Sequence, residues 1–348
     1  MAFPDFPFPE NTDAFPAHTV ILKYLEEYAR QHNLNENINF ENPVKTCSFD
    51  ESTKSWKVND ENFDFVVVAN GHYTKPSVPE IFQNSAFEGV IMHTHYYRKA
   101  KSLAGKNVLV IGQGHSGQDI SLGKYFLSYF YKYKLDLLGV ANSVALLGKS
   151  EIKGTPDSLR KFIGWAKEVK TNGVLTNNNE LIECDYILLA CGYCFDFPFL
   201  DENVIEYSAC KKKIQPLYKQ IVHSRYPSLA FIGIPCNVVP FPLMDCQGSL
   251  NIENFILIFY KAQWLAQVWK GNVKLPRTEG RLRDAAIIPE IESPKIDRHF
   301  HNMPNAQWQY NDDLAKEANF EPIPRTIKEL YRVAILFQNF SFFLSILS

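Results

Sequence analysis

Gly112, Gly114 and Gly117 follow directly on the run Asn107-Val-Leu-Val-Ile111, so the chain spells a strand, a GxGxxG turn and the start of a helix. That spacing serves dinucleotide binding. One glycine permits a tight turn, the next lets the backbone approach a pyrophosphate, and the third lets helix and strand pack closely. Ser116 opens the helix, whose first amide groups would face the phosphates. An ordinary glycine-rich turn is the alternative. Lys149 and Ser150 stand just past the apolar run Val144 to Leu147. A cation there would meet a 2′-phosphate and select NADPH over NADH; a solvated surface lysine is the other reading. Asn70 and Gly71 end the run Phe63 to Ala69, where the backbone could approach a cofactor or simply close a strand. Two leads are weaker. Cys191-Gly-Tyr-Cys194 has redox-dithiol spacing but no second CxxC, and His93-Thr-His95 lacks accompanying metal ligands, so no metal is expected.

These residues need elements to hold them. A helix is expected from about Ala17 to Gln31, with Val20, Ile21, Tyr24, Leu25 and Tyr28 on one face. Before it, Met1 to Pro16 is rich in Phe and Pro and reads as ordered but irregular. Phe63 to Ala69 reads as a buried strand, as do the fingerprint strand and Val144 to Leu147, its expected partner. Tyr186 to Ala190 and Leu229 to Ile234 complete the set. Short apolar strands alternating with helical or looped segments predict an α/β fold with parallel sheets. A length of 348 residues favours two domains. A net charge of −2 gives no reason to expect a nucleic acid as partner, and Lys211-Lys212-Lys213 reads as a solvated turn. The seven cysteines are scattered and no secretory signal precedes them, which predicts a reducing compartment. No window is long and apolar enough for an ordinary transmembrane helix; the stretch Val333 to Ser348 comes nearest, and a membrane-surface tail stays open.

Further motifs flank the fingerprint. Phe87-x-Gly89-x-x-x-His93-x-x-x-Tyr97 precedes it, Leu189-Ala-Cys-Gly192-Tyr193 follows the Tyr186 run, and Phe241-Pro-Leu-Met-Asp245-Cys-Gln247 follows the Leu229 run. With Ala69-Asn70-Gly71-His72-Tyr73 and the opening MAFPDFPFP, they resemble the flavin-containing monooxygenases, in particular insect-type members. Tyr97 matches the N- and S-oxygenating branch, and Cys191 replaces that family's Thr. The resemblance implies two Rossmann-like dinucleotide-binding domains, for FAD and NADPH. It also implies oxygenation of an amine or sulfide by O2 through a C4a-hydroperoxyflavin. Gly112, Gly114, Ser116, Gly117 and Lys149 would then hold NADPH. Asn70, Gly71, Gly192 and Tyr193 would approach the cofactors, and Asp245 and Gln247 would lie near the flavin. Phe87, Gly89 and Tyr97 would pack, and His93 would fix the inter-domain linker by hydrogen bonds. The expected organisation is 1–97 and 201–332 for FAD, 98–200 for NADPH, and an aberrant apolar tail at 333–348. The expected location is cytoplasmic or on the endoplasmic reticulum; oligomeric state and membrane attachment stay open.

The departures carry their own expectations. The family's first, FAD-binding fingerprint and its active-site Asn would lie upstream of Met1, so the FAD domain is expected to be incomplete, to expose apolar strand edges and to bind FAD poorly. Gly123 to Leu135 and Gly248 to Lys261 interrupt otherwise family-like segments. Both have termini whose codons can form splice sites with matching phase, and they read as introns retained in frame. Real insertions are the alternative, and a genomic sequence lacking splice-compatible codons at these termini would sink the intron reading. A nucleotide-binding remnant without catalysis is the first rival function. A disulfide reductase using Cys191 and Cys194 is the second.

Overall fold

A computed structural model describes residues 2–3, 6–13, 16–122, 137–151, 156–239, 241, 243, 263–286 and 299–332. Both interruptions, 123–135 and 248–261, and the tail 333–348 fall outside the described residues. The chain divides into two compact units, the first formed by Met1–His72 with Phe195–Glu329 and the second by Tyr73–Cys194 with Leu330–Ser348. Residues 73–97, grouped in the sequence with the first lobe, thus fold with the second. The reason is that the strand Val90–His93 pairs in parallel with Tyr186–Leu189.

In the first unit, helix α1 (His18–Gln31) buries Tyr24 and Tyr28. The opening segment is pinned to them: Tyr24 Oη donates to the Phe6 carbonyl at 2.6 Å, and the Phe8 ring stacks on Tyr24 at 4.0 Å. The rest of the expected apolar face is less covered, with Val20 and Leu25 each 37% exposed. Strands β1 (Cys47–Asp50), β2 (Ser55–Val58) and β3 (Glu61–Phe63) form an antiparallel meander. The run Phe63 to Ala69 is not one buried strand. Phe63 ends β3, and of the rest only Val66–Val68 (β4) is extended in a sheet, where it pairs in parallel with Leu229–Phe231. Val68 is buried, whereas Phe63, Phe65 and Val67 are exposed. Period-2 alternation explains this, since successive side chains point to opposite faces and only the face that carries Val68 is well covered. Helices Gln263–Trp269, Thr278–Ala286 and Gln307–Ala318 complete the unit, and Trp264, Leu265 and Leu314 pack against Val222 and Ala230 of the sheet.

The second unit is built on a parallel sheet. Its strands are β5 (Val90–His93), β6 (Asn107–Ile111), β7 (Ser143–Gly148), β8 (Leu159–Ile163) and, after a small antiparallel sheet over residues 166–183, β9 (Tyr186–Leu189). Among the described residues the spatial order is β5-β9-β6-β7-β8, every pair parallel. Strand β6 is central and covered on both faces. Leu109 and Ile111 enter one apolar cluster and Val108 and Val110 the other, which is why it reads as an unbroken apolar run. The order turns at β6, because β7 and β8 continue to one side and β9 with β5 lies on the other. Ligands of open α/β sheets bind at the carboxyl end of such a switch point. Among the described residues no helix is long and apolar enough to cross a membrane.

Candidate functional site

The fingerprint turn sits at that switch point, between β6 and helix α2 (His115–Leu122). Each glycine has a separate physical reason. Gly112 adopts φ +114°, and an added Cβ would collide with the Ala190 carbonyl just past β9. At Gly117 an added Cβ would collide with the Gly112 carbonyl and meet Ala190 Cβ at 3.3 Å, so helix and strand touch there. A Cβ added at Gly114 would meet nothing within 4 Å. The first and third glycines are required by the protein itself. The second leaves open the space a pyrophosphate would take, so the turn fits a dinucleotide on its own geometry. Gln118 N donates to the Gly114 carbonyl at 3.0 Å, which starts α2 there and leaves Ser116 exposed on its first turn.

Gln113 stands at a variable position of the fingerprint but has a role of its own. Its amide clasps the end of β7, donating to the Ser150 carbonyl and accepting from Ser150 N at 3.1 Å and Ser150 Oγ at 3.3 Å. Its side chain lies over Gly148, where any Cβ would collide with it. A long polar residue between two fingerprint glycines, paired with a glycine at the end of the next strand, is the signal that marks this clasp. Beside it is a cavity of about 220 Å³ lined by Gln113, Leu146, Ser150, Glu151 and Lys161 among others. Lys149 is exposed beyond β7 and does not line this cavity.

The FxGxxxHxxxY residues hold together the other side of the switch point. Phe87 packs on the cluster containing Leu109 and Ile111. Gly89 has no room for a side chain, because a Cβ would strike the Asp185 carbonyl, and the Phe87 ring at 2.6 Å. His93 is 4% exposed and ends β5. His95 N donates to its Nδ1 at 3.0 Å, so the ring proton is on Nε2, which donates to the Gly192 carbonyl at 3.0 Å. His93 therefore ties the end of β5 to the turn after β9. Gly192 takes φ +74°, and its carbonyl also accepts from Ser77 N at 2.9 Å. Tyr193 rests edge-on against His93 at 5.4 Å, and Tyr97 packs on the cluster of Val108 and Val110. Cys191 donates its thiol to the Ile111 carbonyl at 3.8 Å, a structural use of the CxxC segment.

In the first unit, β4 and its neighbour Leu229–Phe231 both run into glycines with positive φ, Gly71 at +73° and Gly233 at +79°. Asn70 and Gly71 are exposed, and open space surrounds a Cβ added at Gly71. The turn admits close approach by a ligand without requiring one. Asp245 and Gln247 lie outside the described residues. Behind the turn, His72 Nε2 is 3.7 Å from Cys236 Sγ, and burial pushes that thiol up to about 11, far from a reactive thiolate. Two buried imidazoles brace the unit. His301 accepts from Ile214 N at 3.0 Å and faces Gln220 Oε1 at 3.0 Å. His223 accepts from Tyr226 N at 3.0 Å and donates to the Val204 carbonyl at 2.7 Å. Burial lowers their pKa values to about 3 and about 4 respectively. Among the described residues no cluster of His, Cys, Asp and Glu could hold a metal ion.

With this geometry in place, comparisons with known proteins give a consistent result. A family model described as flavin-binding monooxygenase-like matches residues 1–125 and 160–328. Flavin-containing monooxygenase FMO GS-OX-like 2 of Arabidopsis thaliana is 28% identical over 365 residues, covering 96% of this chain and 72% of its own length. Among solved structures, S-allyl-L-cysteine S-oxygenase from Allium sativum superimposes with a TM-score of 0.77 at 28% identity, over 95% of this chain and 74% of that one. Tmm from Pelagibacter sp. strain HTCC7211 shares the fold with a TM-score of 0.72 at 22% identity, over 98% of this chain and 72% of that one.

Proposed function

The chain belongs to the flavin-binding monooxygenase-like family, and on that premise we propose that it transfers one oxygen atom from O2 to the sulfur of a small thioether, with NADPH as reductant and FAD as the flavin. Amine nitrogen is the second soft nucleophile of the same class. Sulfur is placed first because a relative of 28% identity carries the name S-allyl-L-cysteine S-oxygenase. When bound, the two cofactors supply hydride transfer and the activation of O2, for which side chains have no equivalent.

The chain's own residues bind and orient. The turn Gly112 to Gly117 holds the NADPH pyrophosphate, with the first amides of α2 facing it, and Lys149 with Ser150 lies toward the adenosine end. The second unit, with residues 73–194, serves NADPH, and the first, residues 1–72 with 195–329, serves FAD. Asn70 and Gly71 offer backbone to a cofactor, and Asp245 and Gln247 are assigned to the flavin on the family resemblance alone. His93 is a positioning residue: both its ring nitrogens are engaged by backbone, so it holds Gly192 and Tyr193 in place and has no nitrogen left to act as a base. The single observation that carries this reading is the open space around Gly114 between two sterically compulsory glycines.

The test is to purify the full chain, record its flavin absorbance, and follow NADPH consumption with S-allyl-L-cysteine and with a tertiary amine. Flavin retention and sulfoxide formation coupled to NADPH loss would support this reading and overturn the expectation of poor FAD binding. NADPH binding without flavin would leave a nucleotide-binding remnant. Failure to bind NADPH would overturn the site assignment itself.

A further inference from the structure

The cavity beside the fingerprint turn holds a cation that comes from a strand later in the chain than Lys149. Lys161 lies on β8, in register with Leu146 of β7, and both line the cavity. Leu146 belongs to the apolar cluster that also takes Ile120 of α2, so Lys161, its parallel partner, shares the helix side of the sheet, while Phe162 of the same cavity wall packs on the other face. The cavity's other polar walls are Gln113, Ser150 and Glu151. Gln113 belongs to the phosphate turn and Ser150 to the end of the adjacent strand, so the cavity joins the two places between which the adenosine half of a dinucleotide must run. At about 220 Å³ it is smaller than the roughly 300 Å³ at which pockets for whole drug-sized ligands begin. It suits one end of a ligand, such as a phosphorylated ribose.

We propose that Lys161 is a specificity-determining residue that receives the 2′-phosphate of NADPH in this cavity, with the Ser150 hydroxyl beside it. The proposal rests on the assignment of the Gly112–Gly117 turn to NADPH. Gln113 contributes by fixing Ser150: its three contacts with that residue hold the strand end in place before a ligand arrives. Glu151 gives the cavity a second property. A carboxylate accepts from a ribose hydroxyl and repels a phosphate, so Lys161 is what turns a wall able to hold a diol into one that prefers a phosphate. Removing only the lysine should therefore do more than weaken phosphate binding. It should reverse the preference.

The experiment is calorimetric titration of the full chain with adenosine 2′,5′-bisphosphate and with AMP, which differ only in the 2′-phosphate and need neither flavin nor turnover. Wild type should bind the 2′-phosphorylated ligand at least 10-fold more tightly than AMP. K161A should lose that margin and bind AMP equally or better, K161R should keep it, and K149A should lower it by less than K161A does. Lys161 is exposed, so folding of each variant can be verified from an unchanged melting midpoint. A K161A protein that keeps the full margin overturns the role of Lys161 while leaving the nucleotide site intact. A wild-type chain that binds neither ligand, nor NADPH, overturns the nucleotide assignment and this proposal with it.

Discussion

In the second unit Ile111 runs into Gly112 at the centre of a parallel sheet, while in the first Val68 runs into Ala69-Asn70-Gly71 at what is, among the described residues, the edge of a mixed one. Both are carboxyl ends of parallel strands, and both turns use a glycine at positive φ. They differ in what surrounds the glycine. Gly112 and Gly117 are hemmed in by the Ala190 and Gly112 carbonyls, so packing fixes that turn before any ligand binds. Gly71 has open space on its side-chain side and an exposed strand behind it. A turn enclosed by neighbouring strands is preorganised, whereas one at an edge owes less to its surroundings. The two should respond differently to acid, to added methyl groups and to loss of a brace.

Acid should produce the largest difference, because the two buried histidines with depressed pKa values, His223 and His301, both lie in the first unit. In the unfolded chain a histidine titrates near 6.5. In the folded protein these remain neutral down to about 4 and about 3, so between those values and 6.5 the unfolded state binds more protons. Their contribution is complete above pH 6.5 and is lost as pH falls toward the folded values. At pH 5 each should cost about 2 kcal/mol, or about 4 kcal/mol together. Four of the five tryptophans, Trp56, Trp264, Trp269 and Trp308, belong to the first unit, and the fifth, Trp165, is already 60% exposed in the second, so the fluorescence change on unfolding follows mainly the first unit. The urea midpoint read this way should fall sharply between pH 7.5 and pH 5. A flat midpoint would show that the two rings are not held neutral.

Gly117→Ala should come next. Its methyl meets backbone atoms that cannot move without displacing β6, so a loss of about 3 kcal/mol is expected. Gly114→Ala is the matched contrast: its methyl enters open space, so the melting midpoint should stay at the wild-type value while NADPH binding weakens at least 10-fold. If both variants melt alike, the turn is not fixed by packing in the way described.

These contrasts also mark how far the sequence could be read. Strand β6 has the bounds expected of it, Asn107–Ile111, and Val144 to Leu147 is its parallel neighbour, because a central strand covered on both faces leaves an unbroken apolar record. Phe63 to Ala69 carries the same kind of record but forms only a three-residue edge strand with Phe65 and Val67 exposed. Burial depends on what lies next to a strand, and one strand's residues do not encode that. In the site, the three glycines were legible because each satisfies a local backbone demand. Gln113 and Lys161 were not, since their roles depend on Gly148 and Leu146 across strand register. His93 was legible as a hydrogen-bonding residue, but its partner, the Gly192 carbonyl, is 99 residues away in sequence.

That long-range brace gives a smaller effect. His93→Ala removes the acceptor for His95 N and one of the two donors to the Gly192 carbonyl, while Ser77 N still serves that carbonyl. A loss of about 2 kcal/mol in thermal or urea unfolding is expected. His93→Gln should recover part of it by restoring a donor. A catalytic base would behave otherwise, with activity abolished in both variants at unchanged stability.

Gly71→Ala sharpens the comparison with the smallest change. Nothing lies within 4 Å of the new methyl, so the only cost within the chain is holding alanine at φ +73°, about 1 kcal/mol. If the turn is only the end of an edge strand, the melting midpoint should drop slightly and flavin retention should not change. If a cofactor approaches the backbone there, the methyl occupies the space it needs, and flavin should be lost far beyond what 1 kcal/mol of folding stability explains. Measuring both quantities on one preparation separates a turn that ends a strand from one that holds a ligand.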